Sequence, residues 1–119
     1  HLLWESATRV ADALERFVEP LGAFASRYGD AVALAAQAGV PLIVCTIYNG
    51  DLPADEANPA RLAVCLFDDI IYRTAHRNGA ALVELRSVCT DTDDYVDAIE
   101  PSGQGGRKIA RAVADEILG

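Results

Sequence analysis

Asp97 and Glu100 are the carboxylates best placed for chemistry. They stand three positions apart in "DAIEPSGQGG" (97–106), ahead of Pro101 and a glycine-rich turn. Two carboxylates held close together can serve as acid and base, because each makes the other's ionisation harder and pushes one pKa upward. Asp91, Asp93 and Asp94 precede them, and the whole run suggests a cation site. An EF-hand does not fit: Val96 stands where the turn glycine belongs, and Ser102 where the bidentate glutamate belongs. A looser Mg²⁺ site and a solvated acidic loop are the remaining readings.

Other reactive side chains are sparse. "VCT" occurs at 44–46 and at 88–90, each copy expected at a strand end, so Cys45 and Cys89 would lie close on adjacent strands. A thiol nucleophile needs a base and electropositive surroundings. The neighbourhood is acidic, so packing is the better reading. With Cys65 the thiols number three and are widely spaced, which is neither a disulfide framework nor a zinc pattern. Buried free thiols in a reducing cytosol are expected. His76 falls in the last turn of a helix, where the dipole favours a cation. That end of a crossover helix lies away from the ligand edge of a parallel sheet, which argues against His76 as a base.

The elements that must position these groups follow from periodicity. Residues 5–18 carry Val10, Leu14, Phe17 and Val18 at helical spacing, continued by Leu21, with a kink or new start expected at Pro20 and Gly22. A second helical run reaches Gly39, a natural C′ residue. "VPLIVCTIYN" (40–49) suits a strand buried on both faces. After a loop over 50–59, Asn58-Pro59 marks a helix start with proline near the first position. That helix runs to Gly79, a strand follows over 80–90, and the final helix carries Ile109, Val113 and Ile117 as a stripe. The alternation predicts βαβ units, an α/β fold and a parallel sheet. Ligands then bind beyond the carboxyl ends of the strands, where Thr46–Asn58 and Thr90–Gly106 both lie. A two-stranded parallel sheet cannot cover its own edges, so the chain is expected to be the back half of a larger doubly wound domain.

The composition narrows the function. The 119 residues suit one domain, 1–119, and half of them are apolar. Eighteen acids against ten bases give a formal charge of −8, which argues against a phosphate-neutralising nucleic-acid or anionic-membrane surface. No apolar run approaches the roughly 20 residues of a membrane span. The first residue, His1, reads as a cut edge rather than a natural beginning.

Three segments together, "PLIVCTIYN", "LFDDIIYRTAHRNGAALVELRSVCT" and "DDYVDAIEPSGQGGRKIA", resemble the C-terminal half of the SGNH/GDSL hydrolase family. The likeness is to a bacterial branch with C-T-I-Y after one strand, L-R-x-V-C-T after the next, and I-E-P-S-x-Q-G-G opening the last helix. It covers nearly the whole chain. It implies a three-layer α/β/α, flavodoxin-like fold with about five parallel strands, and a serine esterase or lipase acting on acyl or acetyl esters without a cofactor. The family's serine lies in a G-D-S block, and a glycine and the asparagine of a G-x-N-D block complete the oxyanion hole. Neither block is present here. The family's D-x-x-H-P block supplies the general base and the aspartate that orients it. Laid over "DAIEP", it puts Asp97 at the aspartate and Glu100 at the histidine position. An ordinary glutamate, with a pKa near ~4.3, is a weak acceptor for a serine proton. Glu100 is therefore a substitute base, a loop anchor, or the mark of a branch that lost the triad. His1, which would follow the preceding strand's carboxyl end, is a second candidate imidazole. The partners implied are a small-molecule ester and the missing N-terminal half of the same domain, and the expected location is cytoplasmic. The competing reading is a non-catalytic acidic α/β module that binds a partner or a cation.

Overall fold

The computed structural model describes residues 2–119. Helix α1 (Val10–Glu15) and helix α2 (Val18–Ala36) lead into strand β1 (Ile43–Cys45), helix α3 (Ala54–Arg77), strand β2 (Ala81–Val83) and helix α4 (Gly103–Leu118). The strands pair in parallel, with Ile43 beside Ala81 and Cys45 beside Val83. The result is a three-layer α/β arrangement: a small open parallel sheet with helices on both faces. Alternation along the strands divides the side chains. Val44 joins Val32, Ile71 and Ala75 in the core beneath α2 and α3, with Phe24, Tyr28, Leu42 and Leu82 packed around them. Ile43 and Ala81 face Val113 of α4.

Several boundaries differ from expectation. The first helical stretch is shorter than 5–18 and breaks at Arg16–Phe17, not at Pro20. Pro20 is the third residue of α2, a position whose N–H has no partner in any helix, so the ring costs nothing there. Helix α2 also runs through Gly22 and stops at Ala36, leaving Gly39 beyond its cap with φ of 73°. The predicted stripe does not reach the core: Val10, Leu14 and Val18 are exposed. Helix α3 starts at Ala54 with Pro53 as its cap, so Pro59 lies inside it. Asp55 and Glu56 sit in its first turn, where the helix dipole favours anions. Its end is as predicted. Gly79 takes φ of 64°, and the Ala80 N–H reaches back to the Ala75 carbonyl, closing a Schellman cap.

Both strands are three residues long, not ten or eleven. The last ladder bond runs from the Thr46 N–H to the Val83 carbonyl. Beyond it side chains replace a partner strand. The Thr46 hydroxyl accepts the Leu85 N–H at 2.8 Å, and Glu84 accepts the Arg86 N–H at 3.0 Å. A 3₁₀ turn over Leu85–Ser87 follows. The second "VCT" is therefore not at a strand end. The thiols differ too: Cys89 is buried, Cys45 partly buried and Cys65 exposed. His76 is exposed in the last turn of α3. None of the described helices is long and apolar enough to cross a membrane.

Candidate acidic site at the carboxyl edge of the sheet

A partly buried polar network fastens the carboxyl ends of the strands to α3. Glu84, directly after β2, accepts hydrogen bonds from the Thr46 hydroxyl at 2.7 Å and the Tyr72 hydroxyl at 2.6 Å. Arg86 grips the same carboxylate with Nε at 2.8 Å and Nη2 at 2.6 Å. This fork is the main reason the Glu84 pKa falls to about 2, with the two hydroxyls assisting. Asp68, fully buried on α3, accepts the Ile47 N–H at 2.7 Å through Oδ1. Its Oδ2 lies 3.2 Å from Arg86 Nε, an ionic contact without hydrogen-bond geometry. Burial is the largest influence on Asp68 and raises its pKa, opposed by the Ile47 amide and the Arg86 charge. Sequence reasoning missed this cluster, because its members lie 38 and 21 positions apart across two strands and a helix.

The two predicted edge loops meet on this foundation. Tyr48 donates its hydroxyl to the Ile99 carbonyl at 2.6 Å, and its ring stands edge-on to Tyr95. Tyr95, buried, donates to the Cys89 carbonyl at 2.9 Å and accepts the Gly50 N–H at 3.3 Å. The Asp51 N–H reaches the Ala98 carbonyl at 2.9 Å. Gly50 has φ of 78° and no room for a side chain, since a β-carbon there would overlap the Ala98 carbonyl. Glycine is required at 50 for both reasons.

Within the loop the acids have separate tasks. Asp94 is fully buried and ends a 3₁₀ turn, Thr92–Asp94. Lys108 of α4 approaches both its oxygens, at 2.8 and 2.9 Å, Gln104 donates at 2.9 Å, and the Asp91 N–H donates at 3.0 Å. The Lys108 bond is the largest of the effects that lower the Asp94 pKa to about 2. Lys108 also reaches Asp91 at 3.0 Å. An ammonium thus stands where a cation would have to sit. Among the described residues no group of three or more His, Cys, Asp or Glu side chains is arranged to hold a metal ion.

Asp97 and Glu100 are brought into one turn, where the Asp97 carboxylate binds backbone amides rather than the Glu100 side chain. Asp97 Oδ1 accepts the Ile99 N–H at 2.9 Å and the Glu100 N–H at 2.7 Å. These two amides hold the Asp97 carboxyl below its ordinary pKa. The Glu100 carbonyl accepts the Val96 N–H at 2.9 Å, and Tyr95 and Pro101 form an isolated antiparallel bridge. The backbone of Glu100 is therefore fixed while its exposed carboxylate is left unengaged among the described residues. Asp97 orients the chain at Glu100 rather than its side chain. His1 lies outside the described residues. Ser102 then caps α4 by accepting the Gly105 N–H at 3.1 Å.

No protein-family profile matches this chain, and neither a curated protein nor a solved structure resembles it significantly.

Proposed function

We propose that this chain is the C-terminal part of an SGNH-type serine ester hydrolase domain, with Glu100 at the general-base position and Asp97 as the residue that fixes its turn. The observation supporting this reading is the convergence of the 46–53 and 89–102 loops on the carboxyl edge of a parallel sheet, the edge where such sheets bind ligands. Glu100 stands there on a fixed backbone with its carboxylate open to a reactant. The chain holds no G-D-S block, so the nucleophile and most of the oxyanion hole belong to another segment. In the assembled site Glu100 accepts the proton that a serine hydroxyl releases on attacking an ester carbonyl. It then returns that proton to the departing alcohol. The substrate is a small acyl or acetyl ester.

The test begins with the coding sequence upstream of His1, which should carry a G-D-S block after a strand and a G-x-N-D block before this chain. The protein carrying that serine should react with a fluorophosphonate probe. Glu100→Gln should then lower kcat by about 10²–10⁴-fold, the usual contribution of a general base. An unlabelled serine in a folded protein, or full activity in Glu100→Gln, overturns the reading. One observation favours the competing binding module: Val96 and Ile99 expose apolar side chains beside the two acids. That reading gains if Glu100→Gln is fully active and the upstream sequence holds no serine block.

A further inference from the structure

The turn that carries Glu100 owes its shape to one set of bonds and its place on the sheet to another. The shape is local: Asp97 accepts the Ile99 and Glu100 amides, and the Glu100 carbonyl accepts the Val96 N–H. None of these bonds leaves the loop. Among the described residues, two hydrogen bonds tie residues 97–100 to the segment after β1. The Tyr48 hydroxyl donates to the Ile99 carbonyl at 2.6 Å, and the Asp51 N–H donates to the Ala98 carbonyl at 2.9 Å. The first is made by a side chain and falls on the residue next to Glu100.

Tyr48 is itself firmly held. Just before it, the Thr46 N–H closes the ladder on the Val83 carbonyl, and buried Asp68 accepts the Ile47 N–H at 2.7 Å. Its ring stands edge-on to Tyr95, with centroids 5.5 Å apart, and Tyr95 is rooted in the interior through the Cys89 carbonyl. Burial, and then the nearby ionisable groups of Cys89, Asp97 and Glu100, raise the Tyr48 pKa, so the phenol stays a donor in neutral solution.

We infer that Tyr48 is the positioning residue for Glu100: its hydroxyl sets where the turn stands on the sheet, and so where the Glu100 carboxylate meets a reactant. The inference rests on the hydrolase reading. A general base must stand within hydrogen-bond reach of the proton it takes, so the serine fixes a point in space that the turn has to meet. Bonds internal to the turn cannot supply that point, because they move with it. Tyr48 can, because its own backbone segment is fastened to β2 and α3. It acts through the Ile99 carbonyl, one residue from the base.

In the serine-bearing protein, Tyr48→Phe keeps the ring and removes only the hydroxyl. Its kcat should fall about 10–10²-fold, the cost of a misplaced catalytic group, with KM held within about twofold. Thr92→Val is the control. It removes the bond from the Thr92 hydroxyl to Asp51, which joins the same two loops at Thr92 rather than beside Glu100, and should leave kcat unchanged. In a Glu100→Gln background Tyr48→Phe should cost nothing more, since its effect passes through Glu100. An equal loss in Thr92→Val, or losses that multiply in the double variant, overturns the inference by making Tyr48 merely structural. Full activity in Tyr48→Phe beside an impaired Glu100→Gln removes this inference alone. Full activity in Glu100→Gln, or a serine that fluorophosphonate leaves unlabelled, removes the hydrolase reading and this inference with it.

Discussion

The two halves of the acidic loop are built from the same residue type and end up opposite. Asp94 is sealed from solvent and bound by an ammonium, an amide side chain and a backbone N–H. Asp97 and Glu100, a few residues on, lie exposed in a turn that uses one carboxylate for its backbone and, among the described residues, leaves the other without a hydrogen-bond partner. The difference is the neighbour. Helix α4 delivers Lys108 and Gln104 to the first half, whereas Tyr48 and the 50–51 backbone reach the second. A carboxylate in a loop becomes an anchor when a rigid element brings donors to it. Otherwise it stays available for chemistry.

The contrast can be broken most forcefully through Gly105. A β-carbon there would overlap the Asp94 carbonyl, so Gly105→Ala must push α4 away from the first half of the loop. A loss of ~1–3 kcal/mol or more is expected from chemical denaturation. Gly50→Ala combines a positive φ with a clash on Ala98 and should cost ~1–3 kcal/mol, here loosening the second half.

Acid should act next, and on the anchored carboxylates rather than the free one. Asp94 and Glu84 each have a folded-state pKa of about 2, below the ordinary carboxylate range. Between about pH 4 and pH 2 the unfolded chain binds protons that the folded chain refuses. Stability is therefore fully present above that window and falls as pH drops through it. Asp68 works in the opposite sense, because burial raises its pKa and acidification relieves it. Denaturation midpoints against pH should show the net loss, and Lys108→Ala should flatten the slope by removing the group that holds Asp94 ionised.

Smaller still is Asp97→Ala. Melting should barely change, but the Ile99 and Glu100 amides should exchange with solvent faster, because the Asp97 carboxylate is their acceptor. Glu100→Gln should leave stability and exchange unaltered, since only its backbone takes part in the turn. A large destabilisation would make Glu100 a second anchor and erase the contrast.

Much of this arrangement was legible beforehand. Helical periodicity and Gly79 marked the end of α3, and the βαβ order placed both loops on one edge of the sheet. The strands were overestimated because apolar runs show where a chain can be buried, whereas a ladder extends only as far as a partner runs alongside. Pro59 misled because α3 begins before it, at Ala54 with Asp55 and Glu56 in its first turn, and carries the proline inside at the cost of one i→i−4 hydrogen bond. The "DAIEP" spacing singled out a real turn, but spacing carries no information on which oxygen meets which amide.

The sequence by itself determined the α/β class of fold, the order of its elements and the glycine stop at Gly79. Each of these depends on neighbours in the chain and on the period of burial. Only the tertiary structure decided which acids are anchors. Beside near neighbours such as Arg86, two positions from Glu84, the partners of Asp94, Asp68 and Glu84 include groups of other elements, 14, 21 and 38 positions away, and a buried charge persists only where such partners converge.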